Sequence, residues 1–220
     1  MLSRFLYLLA QVIIRAYAIL LLRMDIRWQS PLPKGPVLFA ANHPSTTDPI
    51  FVHLLTRQPV RIMITNKAFS IPVLGSVMRK VNHICVIPGK GEEVLEEARQ
   101  ALARGQSVMI FPEGLVSPED GFHAPRSGVA RLALKAGVPV VPLGISLARK
   151  GCRFIPAVFD GEPDIITWYL HGPYAITIGR PLYFQGDAND KPAVRVVAEK
   201  IMEHIRLLAS ESRRRVWKAM

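Results

Sequence analysis

Cysteine is almost absent from this 220-residue chain: Cys85 and Cys152 stand far apart in apolar surroundings. That excludes a disulfide framework and fits buried, reduced thiols, neither of which has the look of a nucleophile. The six histidines show no ligand spacing, so no metal site is expected. Acidic residues are scarce as well, 17 against 28 lysines and arginines, which leaves a net charge of +11. Such a surface attracts nucleic acid, anionic lipid or acidic metabolites. The cations are scattered rather than striped, and no helix-turn-helix, finger or aromatic RNA-binding signature accompanies them, so no nucleic-acid partner is expected. Internal repeats and low-complexity segments are also missing.

What is present begins with an apolar N-terminus. From Phe5 to Leu22 nearly every residue is apolar, while Arg4, Gln11 and Arg15 fall within roughly 40° of one another at about 100° per residue. This spells a helix with one narrow polar stripe. The sequence Leu22-Arg23-Met24-Asp25 offers no small-residue cleavage site, which argues against a secretory signal. A spanning helix would hold Arg15 deep in hydrocarbon at a cost of roughly 2.5–3.5 kcal/mol, an amount the leucines could offset. The preferred reading is a helix over 1–24 lying in one leaflet of a membrane, its arginines reaching phosphate level; a core helix of the globular domain is the alternative. At the other end, 211–220 reads as a basic tail, Arg213-Arg214-Arg215 with Trp217 and Lys218, suited to an anionic membrane surface or simply to solvent.

Between the termini, strands alternate with helices. Val60 to Thr65, Asn82 to Ile87, Ser107 to Phe111, Val138 to Leu147 and Ala175 to Gly179 read as strands. Ile71 to Lys80, Gly91 to Gly105, Gly128 to Ala136 and the apolar series Val194, Val197, Ile201, Ile205, Leu208 read as helices. The pattern implies a single α/β domain over 25–210 with a largely parallel central sheet flanked by helices. In such sheets, sites form at the carboxyl ends of strands.

Two polar stretches occupy such ends. The apolar run Pro36 to Ala41 ends in Asn42-His43-Pro44-Ser45-Thr46-Thr47-Asp48, and Asp48-Pro49 carries the signature of a helix start. On one helix the five-residue separation would turn His43 and Asp48 roughly 140° apart, but the two prolines make the intervening residues a loop that can fold Asp48 back to the imidazole. The pair is then a general base with an orienting carboxylate, or else a strand-end histidine and a helix cap. Ser45, two residues from His43, is better placed to cap the helix than to attack as a nucleophile. The second stretch is Phe111-Pro112-Glu113-Gly114, where proline stops the strand, Gly114 permits a turn or a close approach, and Glu113 sits at the rim.

Asn42-His43 with Asp48 resembles the NHxxxxD motif, and Phe111-Pro112-Glu113-Gly114 the FPEG motif, of the glycerolipid acyltransferase family that includes 1-acylglycerol-3-phosphate acyltransferases. Val138-Pro139-Val140-Val141-Pro142 resembles the family's fourth block, and the likeness spans about residues 25 to 185. The resemblance implies an enzyme of lipid metabolism at the cytoplasmic face of a membrane. It would transfer an acyl group from acyl-CoA or acyl-carrier protein to the hydroxyl of a lyso-lipid acceptor, with His43 and Asp48 catalytic, Glu113 and Gly114 at the acceptor, Asn42 and Pro112 as motif residues, and no cofactor beyond the donor thioester. Two arginines that usually hold the acceptor phosphate are missing: Pro88 and Gly89 stand in the second block, Leu115 and Val116 after FPEG. Arg126, before a helix start, and Lys90 are the candidate replacements. The loss leaves room for another head group, such as an amino-acid lyso-lipid, and for a non-catalytic membrane-surface protein of the same fold.

Overall fold

The computed structural model describes residues 12–220 except 57 and 160. Residues 1–11, which hold the first part of the expected N-terminal apolar stretch, lie outside the described residues. Helix α1 covers 12–20. The elements that follow are β1 (Asp25–Trp28), β2 (Leu38–Ala41), α2 (Asp48–Phe51), β3 (Val60–Thr65), α3 (Asn66–Phe69), α4 (Leu74–Lys80), β4 (Ile84–Val86), α5 (Gly91–Ala103) and β5 (Ser107–Ile110). Then come α6 (Gly128–Ala136), β6 (Val140–Leu147), β7 (Cys152–Phe159), β8 (Glu162–Tyr169), β9 (Tyr174–Ile178) and α7 (Lys191–Ala219).

Seven strands form one sheet in the order β1-β9-β6-β2-β5-β3-β4. From β6 to β4 every neighbour is parallel, and β9 joins β6 antiparallel, so the sheet is largely parallel as expected. The side chains of β2 alternate between two cores: Phe39 and Ala41 enter the one that holds Phe51, Tyr169 and Tyr174, while Leu38 and Ala40 enter the one built from α5, α6 and α7. His43 continues the Phe39–Ala41 parity. Strands β7 and β8, which the sequence did not mark, form a separate antiparallel hairpin. Its exposed residues Phe154, Ile155, Val158 and Ile165 lack a clean alternation of apolar and polar positions.

Helix α1 packs Ile14 and Tyr17 against the first core and Tyr17 donates to Tyr169 O and Leu170 O, both at 2.8 Å. Its other face leaves Ile19 (68%) and Leu20 (75%) exposed, and no helix among the described residues is long and apolar enough to cross a membrane. At the far end, 211–219 continues α7 instead of leaving the domain as a tail. Arg215, expected at a membrane surface or in solvent, turns inward: it pairs with Asp25 at 2.9 Å and donates to Ile176 O and Thr177 Oγ1.

Helix α7 lies against β6 at Gly144, where a Cβ would collide with the backbone of Leu208 and Ala209. Helix and sheet must separate to admit even one methyl, so Gly144→Ala is expected to cost about 3 kcal/mol in a denaturant titration. An effect below about 0.5 kcal/mol would show that α7 is not seated there.

On the β3–β4 side, His53 and His83 stack with ring centroids 5.5 Å apart, and His83 Nδ1 accepts from the Ile62 amide at 3.2 Å. Burial, with lesser contributions from His53 and Arg61, pushes the His83 imidazole down to about 4. A base with a lowered folded pKa contributes stability that is full above its unfolded value near 6.5 and is lost as pH falls from there towards 4. The loss should reach on the order of 3 kcal/mol. His83→Gln should flatten that part of the stability–pH curve relative to wild type, and parallel curves would contradict the assignment.

Candidate active site

The loop after β2 does what its two prolines suggest. Asp48 is the first residue of α2, preceded by Thr47 as N-cap, and its carboxylate turns back towards the loop rather than capping the helix. Oδ2 accepts from His43 Nδ1 at 3.0 Å and from the Ser45 amide at 2.9 Å. Oδ1 accepts from the Tyr174 hydroxyl at 2.7 Å. Burial first, and Asp48 second, push the Tyr174 phenol well above its ordinary range, so it stays a donor. Three donors on a fully buried carboxylate fix its rotamer, and the bond to Nδ1 fixes the histidine tautomer that leaves Nε2 free to accept a proton. The imidazole stacks on Phe111 at 4.2 Å between centroids, and its side chain is 16% exposed.

Ser45 is not positioned as a nucleophile. Its buried hydroxyl lies 2.7 Å from Thr47 Oγ1, donates to Thr167 O at 2.9 Å and accepts from the Thr47 amide at 3.2 Å. It closes the loop on itself and on β8 instead of capping α2. Thr46 completes the attachment, its amide donating to Thr167 O at 2.9 Å. Asn42 acts as a strand residue made of side chain: Nδ2 donates to Ile145 O at 2.9 Å and Oδ1 accepts from the Ile145 amide at 2.7 Å. Its amide thereby ties the end of β2 to β6.

Strand β5 is the neighbour of β2, so Glu113 arrives beside His43. Its carboxylate differs from expectation, being buried with both oxygens engaged: Oε1 accepts from Ser117 Oγ at 2.5 Å and Oε2 from the His123 amide at 2.7 Å. Ser117 in turn accepts from the His43 amide at 3.0 Å and its own amide donates to His43 O at 2.8 Å. Glu113 therefore braces the 115–123 loop against the histidine rather than presenting a free carboxylate to an acceptor. Gly114 adopts φ 69°, and a Cβ there would lie 2.5 Å from Arg126 Nε, so it serves both the turn and the close approach. Arg126, exposed, lies over Gly114, and its amide donates to Pro112 O at 2.8 Å. Lys90 is not brought to the site: it precedes α5 beyond the edge strand β4, three strands from β2, and pairs with Glu93 at 3.5 Å.

Both cysteines are free, and burial pushes both thiols up, which suits neither as a nucleophile. Sequence reasoning missed Ser117, Tyr174 and Thr167. Tyr174 lies 126 residues from Asp48 in the chain, and no local pattern announces such a contact.

An open α/β sheet bearing a histidine–aspartate pair on its carboxyl rim, with no free nucleophile beside it among the described residues, is a site whose chemistry suits activation of an external hydroxyl or water. Residues 23–146 match the family model described as Acyltransferase, and the chain belongs to that family. It is 30% identical to the lyso-ornithine lipid O-acyltransferase of Pseudomonas aeruginosa over 66% of this chain and 57% of that one. It is also 30% identical to the chloroplastic 1-acyl-sn-glycerol-3-phosphate acyltransferase BAT2 of Brassica napus, over 73% of this chain and 45% of the relative. The chain thus spans about half the length of these curated relatives. A solved structure of the 1-acyl-sn-glycerophosphate acyltransferase PlsC from Thermotoga maritima shares the fold, with a TM-score of 0.62 and 20% identity over 90% of this chain and 75% of the other.

Proposed function

We propose that this protein moves a fatty acyl group from acyl-CoA or acyl-carrier protein to the hydroxyl of a lysophospholipid, with His43 as general base. The observation that carries this reading is the His43–Asp48 pair, 3.0 Å apart, with the imidazole partly exposed and, among the described residues, the neighbouring Ser45 hydroxyl already engaged. His43 Nε2 takes the hydroxyl proton as the oxygen bonds to the thioester carbonyl carbon, and Asp48 stabilises the imidazolium. When the tetrahedral intermediate collapses, the carbon–sulfur bond breaks, and the leaving thiolate recovers the proton from the imidazolium. No further cofactor enters these steps.

The acceptor head group has a second reading. Two arginines usual for a phosphate-bearing acceptor are replaced, and a relative is named for a lyso-ornithine lipid, so an amino-acid lyso-lipid is the alternative substrate. The intact dyad favours either reading over a non-catalytic protein of this fold.

The protein would work at the cytoplasmic face of an anionic membrane, with the exposed side of α1 in the leaflet. Ala18 and Leu22 are buried in the domain, so removing the whole helix would also open its packing. The double substitution Ile19→Ser, Leu20→Ser tests the surface alone. It should weaken binding to vesicles containing phosphatidylglycerol by about tenfold while leaving the melting temperature in place; unaltered vesicle binding would refute the placement. Incubation of the pure protein with a labelled acyl-thioester and a panel of lyso-lipids tests the activity: ester product should appear only with an acceptor. Thiol release at the same rate without one would make the protein a thioesterase.

A further inference from the structure

The acceptor reading leaves a charge unaccounted for, since the family's phosphate-holding arginines are replaced, Lys90 lies at the sheet edge, and Arg126, over Gly114, is exposed to solvent. The structure supplies another cation at the rim. Strand β6 runs parallel beside β2, with Ala41 opposite Leu143, so the residues after Leu147 emerge next to the His43 loop. The first cation there is Arg149. Its turn is held firmly: the Gly151 amide donates to Ala148 O at 2.8 Å, and the Leu170 amide donates to Gly151 O at 3.0 Å.

Arg149 is half-buried, yet no carboxylate lies within ion-pair distance of it among the described residues. The other described arginines withdrawn from solvent, Arg61, Arg99, Arg131, Arg206 and Arg215, each pair with a carboxylate. The guanidinium's hydrogen bond to oxygen is long, Nη2 to Ser117 O at 3.5 Å, and its side chain also bonds the Cys152 side chain. Ser117 is the residue that joins His43 to Glu113, so the guanidinium stands one residue from the base. Asp48 and, more weakly, Glu119 act electrostatically on the same Cys152 thiol. A partly desolvated guanidinium with most of its five donors unused is suited to an oxyacid anion, which it can grip with two parallel bonds.

We infer that Arg149 anchors the anionic group of the lyso-lipid acceptor, a phosphate or a carboxylate, beside the hydroxyl that His43 deprotonates. This rests on the acyltransferase reading. It gives the missing arginines a replacement from a different strand, and it treats phosphate and amino-acid head groups alike, since both carry an oxyacid anion.

The test uses the full chain in mixed micelles and the variants Arg149→Gln and Arg149→Lys. Acceptors are lysophosphatidic acid (phosphate), lyso-ornithine lipid (carboxylate) and monoacylglycerol (no anion), with acceptor and acyl-CoA varied separately. Arg149→Gln should raise KM for the anionic acceptor that wild type uses by about 10- to 100-fold, with kcat within a few-fold and the acyl-CoA KM in place. The loss should be at least about tenfold smaller with monoacylglycerol, and Arg149→Lys should recover part of it. An equal loss on all acceptors overturns the assignment, and so does a rise in acyl-CoA KM alone, which would move the anion to the donor's phosphates. An acceptor KM unmoved in an active Arg149→Gln enzyme refutes Arg149 and spares the acyltransferase reading. A folded wild type that acylates none of the three lipids overturns both.

Discussion

Replacing Asp48 with asparagine is expected to leave the protein folded and to lower turnover by on the order of 10³-fold. Asparagine fits the same space and can still offer its oxygen to the Ser45 amide and His43 Nδ1, which now share Oδ2. Its amino group then faces Tyr174, whose hydroxyl must change from donor to acceptor. The side chain has lost its charge, so the imidazolium formed during proton transfer has no anion beside it. Alanine at the same position should behave differently. It leaves the His43 ring, the Ser45 amide and the Tyr174 hydroxyl without an acceptor, a penalty of about 1–3 kcal/mol for each buried group. A cost on the order of 4 kcal/mol in a urea titration is the expected result, added to the loss of turnover. Equal stability of the asparagine and alanine variants would mean that the carboxylate does not hold the loop, and a turnover loss below about tenfold for asparagine would mean that its charge does not serve the histidine.

The parts of this fold that were legible in the sequence are those set by local rules. Strand β3 and helix α6 fall at the residues where their apolar runs and end signals place them, and Gly137 closes α6 with φ 63° as a left-handed cap. The return of Asp48 to His43 was legible because two prolines forbid the helix that would have kept them apart. Long-range features were not. The β7–β8 hairpin exposes apolar side chains on both strands, so it has no alternation for a sequence to display. The end of α7 looked like a loose basic tail because arginines interrupt its apolar period, yet Arg215 folds back onto β1 and β9. Glu113 could be assigned to the rim from its proline and glycine neighbours. Its inward direction depends on Ser117 and His123 in a loop without a period of its own. Arg149 lies outside every motif, and only the parallel pairing of β6 with β2 reveals its position.

His43 is the group on which the proposed transfer depends. Its ring lies flat on Phe111 and its Nδ1 is bound to Asp48, so removing it takes away the proton acceptor without breaking the strand that carries it. His43→Ala leaves Asp48 with the Ser45 amide and Tyr174 as donors, enough to keep the buried carboxylate satisfied and the loop closed. The direct measurement is acceptor-dependent thiol release from an acyl-thioester, compared between wild type and His43→Ala at equal concentrations of protein shown to be folded by circular dichroism. The variant should lose on the order of 10²–10⁴ in kcat at every pH tested, while its melting curve stays close to wild type. A folded His43→Ala protein that transfers acyl groups at a near-native rate would show that His43 is not the base.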